Sequence, residues 1–171
     1  MTRVLMVCTG NICRSTMAHQ LLSEAIAEAG LDDLVQVDSA GVSDEEEGNP
    51  IDPRAARVLR ENGHGVPDHR ARQVLAGELV RWDLILAMTA HHLAALERMR
   101  DRAGLGANGP EIRLFRDFDP KAGPRDSDLP DPWYGGYQDF VETLEVIERT
   151  TPEILAFLAS RPDQYLTIAL R

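Results

Sequence analysis

The chain has 171 residues, 28 acidic and 18 basic, so its formal charge is −10; 43% of its residues are apolar and 27% charged. Those proportions suit one compact domain with a sizeable core, and they exclude disorder and a generally basic nucleic-acid binder. A small anion can still be held, but only in a concentrated local site. In chain order, Val4-Leu5-Met6-Val7 reads as a strand buried on both faces, the expected central strand. Ala18, Leu21, Leu22, Ala25, Ile26 and Ala29 fall on one helical face that Gly30 can end. A second strand is expected from Leu34 to Asp38, and Asp52-Pro53 supplies an N-cap and a first-turn proline for a helix running to about Asn62. Asp83 to Met88 and Ile112 to Phe115 read as strands, separated by a helix carrying Leu93, Leu96 and Met99. Residues 117 to 136 form a long aperiodic loop, a length that usually carries function. A last helix is expected from Gln138 to Ala159, with Pro152 kinking it or restarting it. Alternating strands and helices imply an α/β fold with a parallel sheet covered on both faces.

No apolar run approaches the ~20 residues that cross a bilayer, and the start is too short in apolar residues for a signal peptide. The expected location is cytoplasmic. The two cysteines, Cys8 and Cys13, are too few and too local for a disulfide framework. They flank the loop Cys8-Thr9-Gly10-Asn11-Ile12-Cys13-Arg14-Ser15, between the first strand and the first helix. An open α/β sheet binds ligands there, beyond its strand ends and at a helix N-terminus. The spacing lets the chain curl so that backbone N–H groups point inward at a tetrahedral oxyanion. Gly10 is the expected position of positive φ in that curl. Arg14 adds a two-pronged donor for phosphate oxygens. A helix start, an arginine and inward N–H dipoles all favour a thiolate, which makes Cys8 a ready nucleophile, with Ser15 placed to bond its sulfur. Cys13 is balanced between packing under the loop and a redox role in which it bonds an oxidised Cys8.

The pattern Cys8-x5-Arg14-Ser15 resembles the low-molecular-weight protein tyrosine phosphatases. Asp38-Ser39-Ala40-Gly41, Asp52-Pro53-Arg54-Ala55, His69-Arg70-Ala71-Arg72-Gln73 and Asp131-Pro132-Trp133-Tyr134-Gly135 extend the likeness in the family's order. The resemblance implies a single domain over residues 1–160, a four-stranded parallel sheet flanked by helices, and a tail over 161–171. It implies that Cys8 attacks phosphorus, that Arg14 binds the phosphoryl oxygens, and that Asp131 protonates the leaving phenolic oxygen and later activates water. Thr9, Gly10, Asn11, Ile12, Cys13 and Ser15 complete the phosphate loop, and Asn11, Ser39 and His69 form its supporting network. No metal and no cofactor is required. The implied partners are phosphotyrosine-containing proteins, with no nucleic acid and no membrane; the expected state is a monomer, with weak self-association as the alternative. Asp117, Asp119, Asp126 and Asp128 compete with Asp131 on composition; the Asp-Pro-Trp-Tyr match decides for Asp131. Trp133 and Tyr134 are expected to wall a pocket deep enough for a phenyl ring. Glu45 stands where many relatives carry an aromatic residue, giving an acidic lip that favours basic phosphopeptides. Thr16 replaces a common proline, loosening the first helical turn, and Thr89 replaces a common acid of the supporting network.

Arsenate reductases resemble this scaffold but relay a disulfide through further cysteines that this chain lacks. Protein arginine phosphatases tend to have threonine where Ile12 stands, and a branched apolar side chain suits an aryl ring better. A phosphotyrosine-binding module or a thiol switch built on Cys8 and Cys13 remains the reading from another class. Gly104 to Gly109 spells G-x-G-x-x-G but follows a helix and precedes a strand, so it is a connecting loop rather than a dinucleotide site. His91-His92 reads as a solvated helix start, not a metal site.

Overall fold

The computed structural model describes residues 1–161. The expected tail over 161–171 lies almost wholly outside them. The elements in chain order are β1 (Thr2–Cys8), α1 (Arg14–Glu28), β2 (Val35–Gly41), α2 (Pro53–Glu61), β3 (Leu84–Ala87), α3 (Ala90–Arg102), β4 (Glu111–Leu114) and α4 (Tyr137–Ala159). The four strands form one parallel sheet in the order β2-β1-β3-β4, so β1 is an inner strand. Its continuous apolar run has the expected cause, since both faces are covered. Val4, Met6, Leu84 and Leu86 pack with α1, α2 and α4, while Leu5, Val7, Ile85 and Ala87 pack with Leu96 of α3.

The helix boundaries follow local chemistry. Asp52 caps α2 by accepting from the Arg54 amide, with Pro53 in the first turn. Thr89 caps α3 by accepting from the His92 amide. At the far end of α1, Gly30 has φ 66°, and the Leu31 amide bonds back to Ile26. Residues 104 to 109 form the expected connection between α3 and β4, not a strand-to-helix turn.

Some boundaries differ from expectation. The strand β2 runs three residues past Asp38, to Gly41, because its backbone stays in register with β1 up to the pair Cys8 and Gly41. Pro152 does not restart the last helix: α4 is continuous through it. Ile147, Thr151, Ile154 and Leu158 are all buried, so tertiary packing holds the helix across the missing N–H. The long loop contains two short 3₁₀ turns, Phe115–Phe118 and Pro132–Tyr134. It is organised by Arg116, which bonds Asp119, Asp126 and the Asp128 carbonyl.

Candidate active site

The strand β1 delivers Cys8 to the carboxyl end of the sheet, and the chain then curls through residues 9–13 into α1. The helix starts with Cys13 at its N-cap and no side-chain cap; its first turn holds an arginine and no acid. A helix start ordinarily favours capping oxygens and negative charge. Leaving its amide N–H groups without a protein cap, beside a guanidinium, is the arrangement for an anion from outside.

The positive φ of the curl falls on Asn11 (61°), not on Gly10. Asn11 is fully buried and tolerates that conformation because its side chain is bonded at every polar atom. Its Nδ2 donates to Ser15 Oγ (2.9 Å) and Ser39 Oγ (3.0 Å), and its Oδ1 accepts from the Arg72 amide (3.0 Å). Its carbonyl accepts from Thr16 Oγ1 (3.0 Å) and from His69 Nε2. Asn11, Ser39 and His69 are thus brought together as expected, and Arg72 joins them through its backbone. At Gly10 the constraint is room instead: a Cβ there would meet Glu46 Cγ at 2.9 Å, so the Glu46 side chain would have to shift. At Gly41 a Cβ would lie 2.4 Å from the Thr9 carbonyl, so this glycine lets β2 press against the loop. Thr16 does not loosen the first turn, since its hydroxyl adds a bond to the loop.

Cys8 Sγ lies 3.0 Å from Ser15 Oγ. Arg14 is 3% exposed; its Nη1 donates to the Leu129 carbonyl (3.0 Å) and its Nη2 to Asp131 Oδ2 (3.1 Å). Its Nε is buried without a hydrogen-bond partner among the described residues, an unmet donor at the edge of the cradle. Burial foremost, then the Asp52 carboxylate and Cys8, push the Cys13 thiol well above its usual range, which disfavours a thiolate at that position.

A cavity of about 360 Å³ opens over the loop. It is lined by Cys8, Thr9, Gly10, Ile12, Cys13 and Arg14 of the loop and helix start, by Asp131, Trp133 and Tyr134, and by Glu45 and Glu46. Of the competing acids, Asp119 is withdrawn from it. Burial opposes ionisation of its carboxyl, but bonds from Arg149, the Lys121 amide and Arg116 outweigh that and hold it well below the usual carboxylate range. Asp126 and Asp128 are likewise engaged, by Arg116 and by the Ala90 amide.

Sequence reasoning misplaced His92. It is 2% exposed rather than solvated, because α3 starts directly behind the phosphate loop. Arg14 Nη2 donates weakly to Thr9 Oγ1 (3.4 Å), which lies 2.9 Å from His92 Nε2, while Nδ1 lies 3.1 Å from Thr89 Oγ1. With Thr9 donating to Nε2 and Nδ1–H donating to Thr89, every bond has one donor, which needs a neutral ring. Burial, then Arg14, holds His92 down to about 4. Thr89 thus enters the supporting structure as a helix cap and histidine partner in place of an acid. The only sequence signal for this was a histidine three residues after a cap.

Residues 3–163 match the family described as low molecular weight phosphotyrosine protein phosphatase. The chain belongs to that family. A low molecular weight protein-tyrosine-phosphatase of Streptomyces coelicolor is 44% identical over 154 residues, covering 90% of this chain and 92% of the relative. The crystal structure of YfkJ from Bacillus subtilis superposes with a TM-score of 0.82 at 30% identity, over 95% of this chain and 98% of that one. A Drosophila arginine phosphatase shares the fold with a TM-score of 0.82 at 26% identity, over 94% of this chain and 99% of that one. The four-stranded parallel sheet and the loop after β1 are therefore the phosphatase scaffold. Among the described residues no helix is long and apolar enough to cross a membrane.

Proposed function

We propose that the protein is a protein-tyrosine-phosphatase that hydrolyses phosphotyrosine monoesters through a cysteinyl-phosphate. The observation that carries this reading is the convergence on one cavity of Cys8, an arginine with an idle Nε, an uncapped helix start and Asp131. Cys8 Sγ attacks phosphorus as the bond to the phenolic oxygen breaks, and the Asp131 carboxyl gives that oxygen its proton. Arg14 exchanges its bond to Asp131 for the phosphoryl oxygens, with Nε and Nη2 as the fork, and frees the carboxyl to face the leaving group. Water then attacks the cysteinyl-phosphate and loses its proton to Asp131, and the sulfur departs next to Ser15 Oγ. Asn11, Ser39 and His69 hold the loop in shape and take no part in bond exchange.

Substrate choice follows the walls. Ile12 is apolar and branched, which suits a phenyl ring better than a guanidinium and favours tyrosine over arginine phosphatase activity, while Trp133 (41% exposed) and Tyr134 (91%) offer ring faces beside it. Glu45 and Glu46 line the same cavity and favour phosphoproteins with basic residues beside the phosphotyrosine. The chain acts as a monomer in the cytoplasm, where a reducing environment keeps Cys8 free. The test is turnover of 4-nitrophenyl phosphate under reducing conditions. Wild type should turn over, Cys8→Ser should not, and Asp131→Asn should lose about 10²-fold or more in kcat/KM; an inactive wild type would end the reading in favour of a binding module or thiol switch.

A further inference from the structure

We infer that Arg54, at the start of α2, is a positioning residue that sets the Asp131 loop over the phosphate loop; the inference rests on Asp131 being the general acid.

The segment carrying Asp131 is tied down at its two ends by two different guanidinium groups. Ahead of the acid, the Leu129 amide bonds the Met88 carbonyl at the end of β3, and the Leu129 carbonyl accepts from Arg14. Behind it, Arg54 Nη1 donates to the Trp133 carbonyl (3.1 Å) and, more weakly, to the Gly135 carbonyl (3.4 Å). The Arg54 guanidinium also stands 5.3 Å from the Trp133 ring and 4.6 Å from that of Phe140. Asp131 itself is linked to this rear tie, since its Oδ1 accepts from the Trp133 amide (3.2 Å). A displaced Trp133 therefore carries the carboxyl with it.

Arg54 is in turn fixed to the phosphate loop. Its Nε and Nη2 grip both oxygens of Asp52 (3.1 and 3.0 Å), and the Asp52 amide donates to the Ile12 carbonyl (2.9 Å). One line of contacts thus runs from the base of the cradle through Asp52 and Arg54 to the acid. The front tie holds only the backbone of Leu129, two residues ahead of the acid, whereas the rear tie reaches the Asp131 carboxyl itself through the Trp133 amide. Arg54 touches neither substrate nor the reacting atoms; it acts through Trp133 on where the Asp131 proton sits. A guanidinium is needed because one planar group must hold a carboxylate, two carbonyls and two ring faces.

A misplaced general acid is felt in proportion to how much the leaving oxygen needs a proton. The experiment measures kcat/KM for Arg54→Met, Arg54→Lys and Asp131→Asn on aryl phosphates running from 4-nitrophenyl to phenyl phosphate, with Ki for inorganic phosphate as the control on the cradle. Arg54→Met should lose about 3-fold or less on 4-nitrophenyl phosphate and about 10-fold or more on phenyl phosphate, the steeper dependence resembling that of Asp131→Asn. Arg54→Lys, the variant to rely on if the methionine does not fold, should fall between, and Ki should stay within about 2-fold of wild type for both. A loss uniform across the series, or one matched by a change in Ki, would overturn the inference and leave Arg54 a fold-holding residue. If Asp131→Asn itself showed no leaving-group dependence, the general-acid reading would fall first and the inference with it.

Discussion

Asn11 offers the sharpest quantitative test of how the phosphate loop is held. Replacing it by alanine removes three side-chain hydrogen bonds, to Ser15, Ser39 and the Arg72 amide, all within a fully buried site. At about 1 kcal/mol for each bond, the loss is ~3 kcal/mol. Alanine also has to sit at φ 61°, where an L-residue with no local hydrogen bond is strained by about 1–2 kcal/mol. Glycine loses the same bonds but adopts that φ freely, while its looser unfolded chain costs about 0.4–1 kcal/mol. Asn11→Gly should therefore be less stable than wild type by about 3.5–4 kcal/mol, and Asn11→Ala by up to about 1.6 kcal/mol more. Urea unfolding followed by circular dichroism measures both, with kcat/KM on 4-nitrophenyl phosphate reporting the loop. If alanine were clearly the more stable of the two, the strain argument would be wrong; if both fell by less than about 1 kcal/mol, the hydrogen-bond argument would be.

Asp119→Ala should destabilise the fold by about 2–3 kcal/mol, because it removes the carboxylate that Arg149 bonds and one of the partners of Arg116, yet leave the leaving-group dependence of kcat/KM as in wild type. A dependence like that of Asp131→Asn would transfer the acid role to Asp119. His64 bridges Glu24 (2.7 Å) and Glu148 (2.9 Å), linking the chain after α2 to α1 and α4. Burial opposes its charge, but the two carboxylates outweigh that and raise its pKa above the usual histidine range. Its stabilisation is then full below the unfolded pKa of ~6.5 and is lost as pH rises through the higher folded value. His64→Gln should lower Tm by roughly 2–4 °C at pH 6 and converge on wild type by pH 9; a gap that widened with pH would reverse the assignment. Glu45→Ala should narrow the preference in kcat/KM for phosphotyrosine peptides with basic over acidic flanks, and an unchanged ratio would dismiss the acidic lip.

The sheet, its four strands and the anion loop were legible because each rests on chain-local chemistry: apolar runs buried on two faces, caps at Asp52, and a Cys-x5-Arg spacing at a strand-to-helix junction. The positive φ was misassigned to Gly10 because glycine is the local preference, whereas Asn11 is held there by Ser39 and the Arg72 amide, partners far along the chain. His92 gave no sign of burial, since the pattern around it is that of an ordinary helix start and only the packing of α3 behind Thr9 encloses it. The restart expected at Pro152 failed for the opposite reason: the proline's local cost is real but is outweighed by buried neighbours on α4. The link from Asp52 through Arg54 to Trp133 depends on two segments about 80 residues apart meeting, which no local pattern reports.

The uncapped first turn of α1 and the idle Nε of Arg14 are unmet demands of the native state alone, because the unfolded chain has no cradle. An oxyanion that meets them is therefore a folding ligand. Inorganic phosphate, the product of the proposed reaction, would at 100 times its Kd add ~2.7 kcal/mol to the unfolding free energy. The chain is then least stable at the moment its site is cleared for the next substrate, and turnover alternates between a firmer and a looser molecule.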